Sequence, residues 1–341
     1  MQYTEFANSG RQVSRVAFGA MGLNCAFGNF DEGDMIKAVH HSLEKGVNFI
    51  DTARTYGDSE MILGKALKEW SGEMPFIASK AAPTGTCENN GWGIPNPYST
   101  SYPSGSVTES VEESLRQLGT DCIDLLQLHQ YWSQYEGEEW YDELSKLKEQ
   151  GKIKHIGISC TDHRHDQALS IVRNGLVDSV QTIINIFDPL AFDSLVPLCQ
   201  EKKVAVMARC VLDEGGLTGF LKPDTTFPKS DFRNDYFEHG PMSEYIRRVD
   251  ALKKFIPDYA SSLAELAIKF VLYHPGVTCA NISMHIPEYA DENIGVVDKK
   301  PLTEEVFTEI RRHHRWLINL YENKYFPIEG EMLSATGFKS E

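Results

Sequence analysis

The chain of 341 residues is 41% apolar and 24% charged, and its 33 basic against 49 acidic side chains give a formal charge of −16. That balance argues against nucleic acid or an anionic membrane as a general partner, because both need a basic surface. Ordinary Gly and Pro contents exclude disorder and collagen-like repeats, and no run approaches 18 uncharged apolar residues, so no membrane-spanning helix is expected.

Residues 16–21 read as a strand, and 31–45 as a helix stopped at Gly46, where glycine accepts the left-handed conformation that ends a helix. Strand 47–53 and helix 59–70 follow. Strand 75–81 precedes a long irregular stretch to Gly105, then helix 107–118 runs to Gly119. The alternation continues with strand 123–129, helix 139–150 to Gly151, strand 154–160 and helix 166–174 before Gly175. Strand 179–184, helix 192–202, strand 204–209, helix 262–273, strand 277–283 and helix 287–296 complete it. The strands are near-continuous apolar runs, the pattern of strands buried on both faces of a parallel sheet.

Eight βα units argue for an α/β fold of the (β/α)₈ (TIM) barrel type, read as one domain over 1–341. Residues 3–6 and 13–16, around Ser9-Gly10, are expected to form a small N-terminal hairpin closing the barrel bottom. Two additions break the alternation. One is a 213–258 loop insertion with a helix near 242–255. The other is an extra helix over 303–324, the start of a C-terminal extension that runs as a polar tail to 341. A doubly wound sheet would carry a G-x-G-x-x-G turn after its first strand; here that strand ends in Gly19-Ala20-Met21-Gly22-Leu23.

Seven cysteines, an odd count with no C-x-x-C spacing, argue against a disulfide framework or zinc ribbon. They favour a reducing, cytoplasmic setting. Residues 1–10 are polar and lack a secretory pattern. His163-Arg164-His165 has no acidic or Cys partners at ligand spacing, so no metal is expected.

In a barrel the catalytic groups stand where strands end. Those positions carry Asp51, with Tyr56 in the loop beyond, then Lys80, His129, Ser159-Cys160, Gln181 with Asn185 nearby, Arg209 and Ser283. Asp, Tyr, Lys and His make chemical sense together. A phenol is a poor acid at neutral pH, a nearby ammonium favours the phenolate, and a carboxylate keeps that ammonium charged. A neutral His can orient a carbonyl. Such a set can protonate a carbonyl oxygen, but no side chain supplies hydride, so a nicotinamide cofactor is implied.

The run Gly46-Val47-Asn48-Phe49-Ile50-Asp51-Thr52-Ala53-Arg54-Thr55-Tyr56-Gly57 resembles the signature of the aldo-keto reductase superfamily. So do Ile77-Ala78-Ser79-Lys80, Asp124-Leu125-Leu126-Gln127-Leu128-His129 and Lys154-His155-Ile156-Gly157-Ile158-Ser159. The resemblance covers residues 13–293 and implies a barrel oxidoreductase that interconverts a carbonyl (aldehyde or ketone, sugars included) and an alcohol. It implies Tyr56 as general acid/base, tuned by Lys80, with Asp51 pairing Lys80 and His129 orienting the carbonyl.

The resemblance also implies NADP(H), held at its carboxamide by Ser159 and Gln181, with Cys160 standing where Asn is usual. A thiol is a weak hydrogen-bonding group. Arg209 is expected to stack on the nicotinamide, or else to pair with Asp213 or Glu214. Gly216, Leu217 and Gly219 resemble the strap over the pyrophosphate, with Phe220 where Lys is common. Ser283, His285, Tyr289, Glu292 and Asn293 fall at the adenosine end, where an Arg or Lys for the 2′-phosphate is missing. NAD(H) use is therefore expected as a real alternative. Trp92, Tyr131 and Trp132 are expected as aromatic substrate walls, or else as packing of their loops against the barrel. Two rival readings are a cofactor-binding regulatory subunit of the same fold, such as the potassium-channel β-subunits, and a nicotinamide-dependent epimerase.

Overall fold

The N-terminus forms the expected hairpin: β1 (Tyr3–Glu5) pairs antiparallel with β2 (Gln12–Ser14). Its turn places Phe6 under the barrel, fully buried, with ring centroids 4.6 Å from Phe76 and 6.0 Å from Phe49. The computed structural model describes residues 1–84, 96–237 and 242–316.

Eight parallel strands then close a barrel in chain order. They are β3 (Val16–Gly19), β4 (Phe49–Asp51), β5 (Phe76–Ala81), β6 (Ile123–Tyr131), β7 (Ile153–Cys160), β8 (Ser179–Ile183), β9 (Ala205–Arg209) and β10 (Cys279–Ser283). β10 pairs back onto β3 through Ala280–Val16 and its successors. The fold is a (β/α)₈ barrel, and its helices bury their apolar stripes against the outer faces of the strands. Among the described residues no helix is long and apolar enough to cross a membrane.

Alternate strand positions point into the barrel. Toward the N-terminal ends these are apolar: Ala17, Phe49, Phe76, Ala78, Leu125, Ala205, Met207 and Cys279 pack with Phe6 as an inner core. Two residues further along their strands the interior turns polar, at Asp51, Lys80, Gln127, Arg209 and Asn281. The barrel is thus plugged below and chemically equipped above.

Several expected elements end differently. The first strand stops at Gly19, and the chain turns into a 3₁₀ helix, Ala20–Asn24, that brings Gly22 against His285. A Cβ at Gly22 would lie 2.2 Å from the His285 ring, so only glycine permits this approach. The C-terminal helix covers Glu304–His313, with the Thr303 hydroxyl accepting from the Val306 amide as its cap. It stacks Phe307 on Tyr273, 4.2 Å between centroids. Of its expected remainder, 317–324 lie outside the described residues.

The insertion holds helices Arg233–Phe237 and Met242–Ala251. The Tyr236 and Tyr245 hydroxyls donate to buried Asp213 at 2.5 and 2.6 Å. The Phe232 amide donates to the Ala26 carbonyl at 3.0 Å. The insertion therefore spans the barrel top from the end of β9 to the loop after β3.

Candidate active site

Asp51 is the hub of the polar layer. Its Oδ2 accepts from Lys80 Nζ and Asn281 Nδ2, both at 2.7 Å. Its Oδ1 accepts from Gln181 Nε2 at 3.0 Å and Gln127 Nε2 at 3.3 Å. Four donors from four strands thus surround one carboxylate that is 1% exposed. Gln127, which the sequence shows only as part of the Asp124–His129 motif, and Asn281 thus join the site. Their signal is a polar residue at an inward position of an otherwise apolar strand.

Lys80 also donates to the Thr52 carbonyl at 2.8 Å and to the Tyr56 hydroxyl at 3.4 Å. Burial disfavours its charge, but the attraction of Asp51 and Tyr56 outweighs this and holds its pKa above the ordinary value. The Tyr56 hydroxyl is pushed up by burial, which Lys80 only partly offsets. The expectation that Lys80 lowers the phenol's pKa is therefore met only as a partial counterweight. The Tyr56 phenol thus stays protonated at neutral pH.

His129 meets Tyr56 edge-to-face, 6.2 Å between centroids. Its Nδ1 shares a hydrogen bond with Thr55 Oγ1 at 3.2 Å. Burial first, then Lys80 and Arg209, pulls its pKa well below 6.5, so the ring is neutral. The register of β6 shifts between Leu128 and Tyr131, and Gln130 takes φ +56°. His129 continues the inward series of Leu125 and Gln127, and the irregularity that follows at Gln130 turns Tyr131 away from the cavity, which corrects the reading of the aromatic wall. Tyr131 is fully buried, edge-to-face with Trp140 at 6.0 Å. Trp132 is 3% exposed, under Arg164. Neither lines the cavity, because both pack the loop against the barrel. Trp92 lies outside the described residues.

A cavity of about 650 Å³ opens above Asp51, Tyr56 and His129, a size suited to a cofactor or substrate. Ser159, Cys160, Gln181 and Arg209 line it at this end. Burial pushes the Cys160 thiol up to about 12, so it stays protonated. Arg209 pairs with Asp162 at 2.5 Å rather than with Asp213 or Glu214, and donates to the Cys160 carbonyl at 3.1 Å. Asn185 instead braces backbone, accepting from the Phe187 and Asp188 amides. Glu214 also lines the cavity, with a carboxyl raised to about 7 by burial. Glu214, its neighbour Asp213 and nearby Cys210 all take left-handed backbone, a conformation costly outside glycine.

The expected strap needs correction. Gly216, Leu217 and Gly219 spend their amides inside their own turn, on the carbonyls of Asp213, Leu212 and Gly216. Gly215, Thr218 and Phe220 face the cavity in their place. Ser283, His285, Tyr289, Glu292 and Asn293 line the far end with Phe27, Phe30 and Arg233. His285 is 5% exposed, its ring 4.7 Å from Phe30 and 5.8 Å from Phe27. Burial pulls it down to about 4, so it brings no positive charge.

The residues present fit a nicotinamide dinucleotide. The Asn281 Oδ1 and Arg209 Nε are buried, face this cavity region and have no hydrogen-bond partner in the protein. Aromatic rings at the other end suit a flat heterocycle. The sequence matches the Aldo/keto reductase family over residues 15–315. The chain belongs to that family. It is an oxidoreductase of the aldo-keto reductase type, a class that works with nicotinamide cofactors.

Three relatives place it further. Aldo-keto reductase YhdN of Bacillus subtilis is 29% identical over 82% of this chain and 84% of its own. An NADH-specific methylglyoxal reductase of Escherichia coli is 27% identical over 80% of this chain and 85% of its own. The solved glycerol dehydrogenase of Gluconobacter oxydans superposes with a TM-score of 0.73 at 25% identity, covering 97% and 99% of the two chains.

Proposed function

We propose that this aldo-keto reductase interconverts a small carbonyl and its alcohol, with Tyr56 as general acid/base. The observation that carries this is the buried Asp51–Lys80–Tyr56 line, with neutral His129 beside the phenol. A carbonyl oxygen seated between Tyr56 and His129 receives the phenol proton as negative charge builds on it. Lys80 stabilises the phenolate left behind. Asp51 keeps Lys80 charged and in place, and His129 directs the carbonyl oxygen toward Tyr56. In the alcohol direction the phenolate takes the proton back. The dinucleotide, when bound, supplies or accepts the hydride.

Ser159, Gln181, Asn281 and Arg209 would hold the nicotinamide end. Gln181 spends its Nε2 on Asp51, which leaves its amide oxygen for the carboxamide. Asp162 and Glu214 around Arg209 disfavour anionic substrates, so uncharged aldehydes, ketones and oxidised sugars are the favoured class. Two relatives carry names for small uncharged molecules, methylglyoxal and glycerol.

The test follows loss of reduced-nicotinamide absorbance with NADPH or NADH across a panel of aldehydes, ketones, oxidised sugars and keto acids. Turnover of uncharged carbonyls that vanishes in Tyr56→Phe supports the proposal. Equal inertness of both proteins across the panel, together with capture of a protein partner, would favour the regulatory reading.

A further inference from the structure

The far end of the cavity holds a cation that no strand end supplies. Arg233 comes from the insertion, at the start of its first helix, and lines the cavity. Its Nε and Nη2 donate to the two oxygens of Asp231 at 2.9 and 2.6 Å, and Nη2 also donates to the Phe27 carbonyl at 3.2 Å. Asp231 is buried and accepts the Arg233 amide as well, so the guanidinium is held at both its base and one edge. Among the described residues no acceptor takes its other terminal nitrogen, Nη1.

Its surroundings are aromatic. The guanidinium lies 5.6 Å from the Phe220 ring and 5.7 Å from the Phe27 ring. Phe27 in turn stacks on His285. Phe220 and His285 are two positions where a strand-end cation is lacking, and Arg233 reaches the space between them from a different element.

Resting on the dinucleotide reading above, we propose that Arg233 binds the 2′-phosphate of NADPH. The aromatic cluster of Phe27, Phe30, Phe220 and His285 suits adenine, the flat heterocycle at that end of a dinucleotide. The phosphate that distinguishes NADPH from NADH is carried on the adenine-bearing ribose, so a cation beside the adenine meets it. Asp231 takes the Nε–Nη2 fork and so orients the guanidinium, leaving Nη1, a charged donor with two N–H groups, for a phosphate oxygen. The insertion, which looks like a loop added to a barrel, thus completes the cofactor site. The acidic chain accepts NADPH through a cation placed by tertiary structure.

Binding can be read without turnover, by quenching of intrinsic tryptophan fluorescence on titration with NADPH and, separately, NADH. In Arg233→Leu the NADPH dissociation constant should rise roughly 10- to 100-fold while that of NADH changes little. Arg233→Lys, which keeps a positive charge but loses the fork by which Asp231 aims Nη1, should fall between. The NADH titration reports on folding of the site in the same sample. Equal losses for both dinucleotides, or no loss for either, would overturn the assignment. A wild-type protein that binds neither dinucleotide would instead overturn the parent reading of the cavity.

Discussion

The Lys80 ammonium lies 2.7 Å from the Asp51 carboxylate, and the two side chains are 0% and 1% exposed. A buried ion pair of this kind is weak as a source of stability but costly to break, because the survivor is left charged without a partner. Here the same ammonium also reaches the Tyr56 hydroxyl, so in the proposed reaction the pair positions the proton donor.

Asp51→Asn should therefore damage both folding and chemistry. Removing the charge leaves Lys80 buried and unpaired, and the new amide opposes the donors Gln127, Gln181 and Asn281. A stability loss of about 3–5 kcal/mol is expected in denaturant unfolding. Turnover of the surviving folded protein should fall as well. Unchanged stability and turnover would show that Asp51 is not the hub of the layer.

The pH profile of carbonyl reduction follows from two shifts of opposite consequence. Burial raises the Tyr56 phenol, so the acid form persists through neutral and mildly alkaline pH. His129 is lowered, so it stays neutral below pH 6.5. The chemical step of reduction should be flat across neutral pH and decline only above about 10. Stopped-flow measurement of hydride transfer at saturating substrate reads this step. A decline centred near pH 7 would mean that the step follows another group, with Glu214, raised to about 7 by burial in the same cavity, the first candidate.

His285 ties stability to acid. Its folded pKa of about 4 lies below the ordinary 6.5. The unfolded chain therefore takes up a proton first as pH falls. Its contribution is complete above pH 6.5 and is lost as pH drops from there toward 4, on the order of 3 kcal/mol in all. Replacing it by Gln should flatten the stability curve in that window relative to wild type. Parallel curves for the two proteins between pH 6.5 and 4 would contradict the neutral, buried state of His285.

The barrel and its reaction end were readable in the chain because both depend on local pattern. Apolar runs with glycine stops mark the strands and helices, and Asp51, Lys80 and His129 stand at or beside strand ends. What escaped depends on distant contact. Gln127 and Asn281 gain meaning only when inward positions of separate strands meet around Asp51. Tyr131 and Trp132 follow His129 in sequence, but the bulge at Gln130 breaks the simple alternation and they turn into the protein. Arg233 lies in an irregular insertion, where no periodicity connects it to Phe27 or Phe220. The strand ends leave the far end of the cavity short of cations, and the folded insertion places one there.

The measurement that bears most directly on the function is single-turnover hydride transfer by Tyr56→Phe, with dinucleotide binding followed in parallel. The ring and its contact with His129 are kept, and only the hydroxyl near Lys80 is removed. The account predicts a rate lower by roughly 10²- to 10⁴-fold with the dinucleotide dissociation constant unchanged. A variant that transfers hydride at the wild-type rate would contradict the role of Tyr56 as the proton donor.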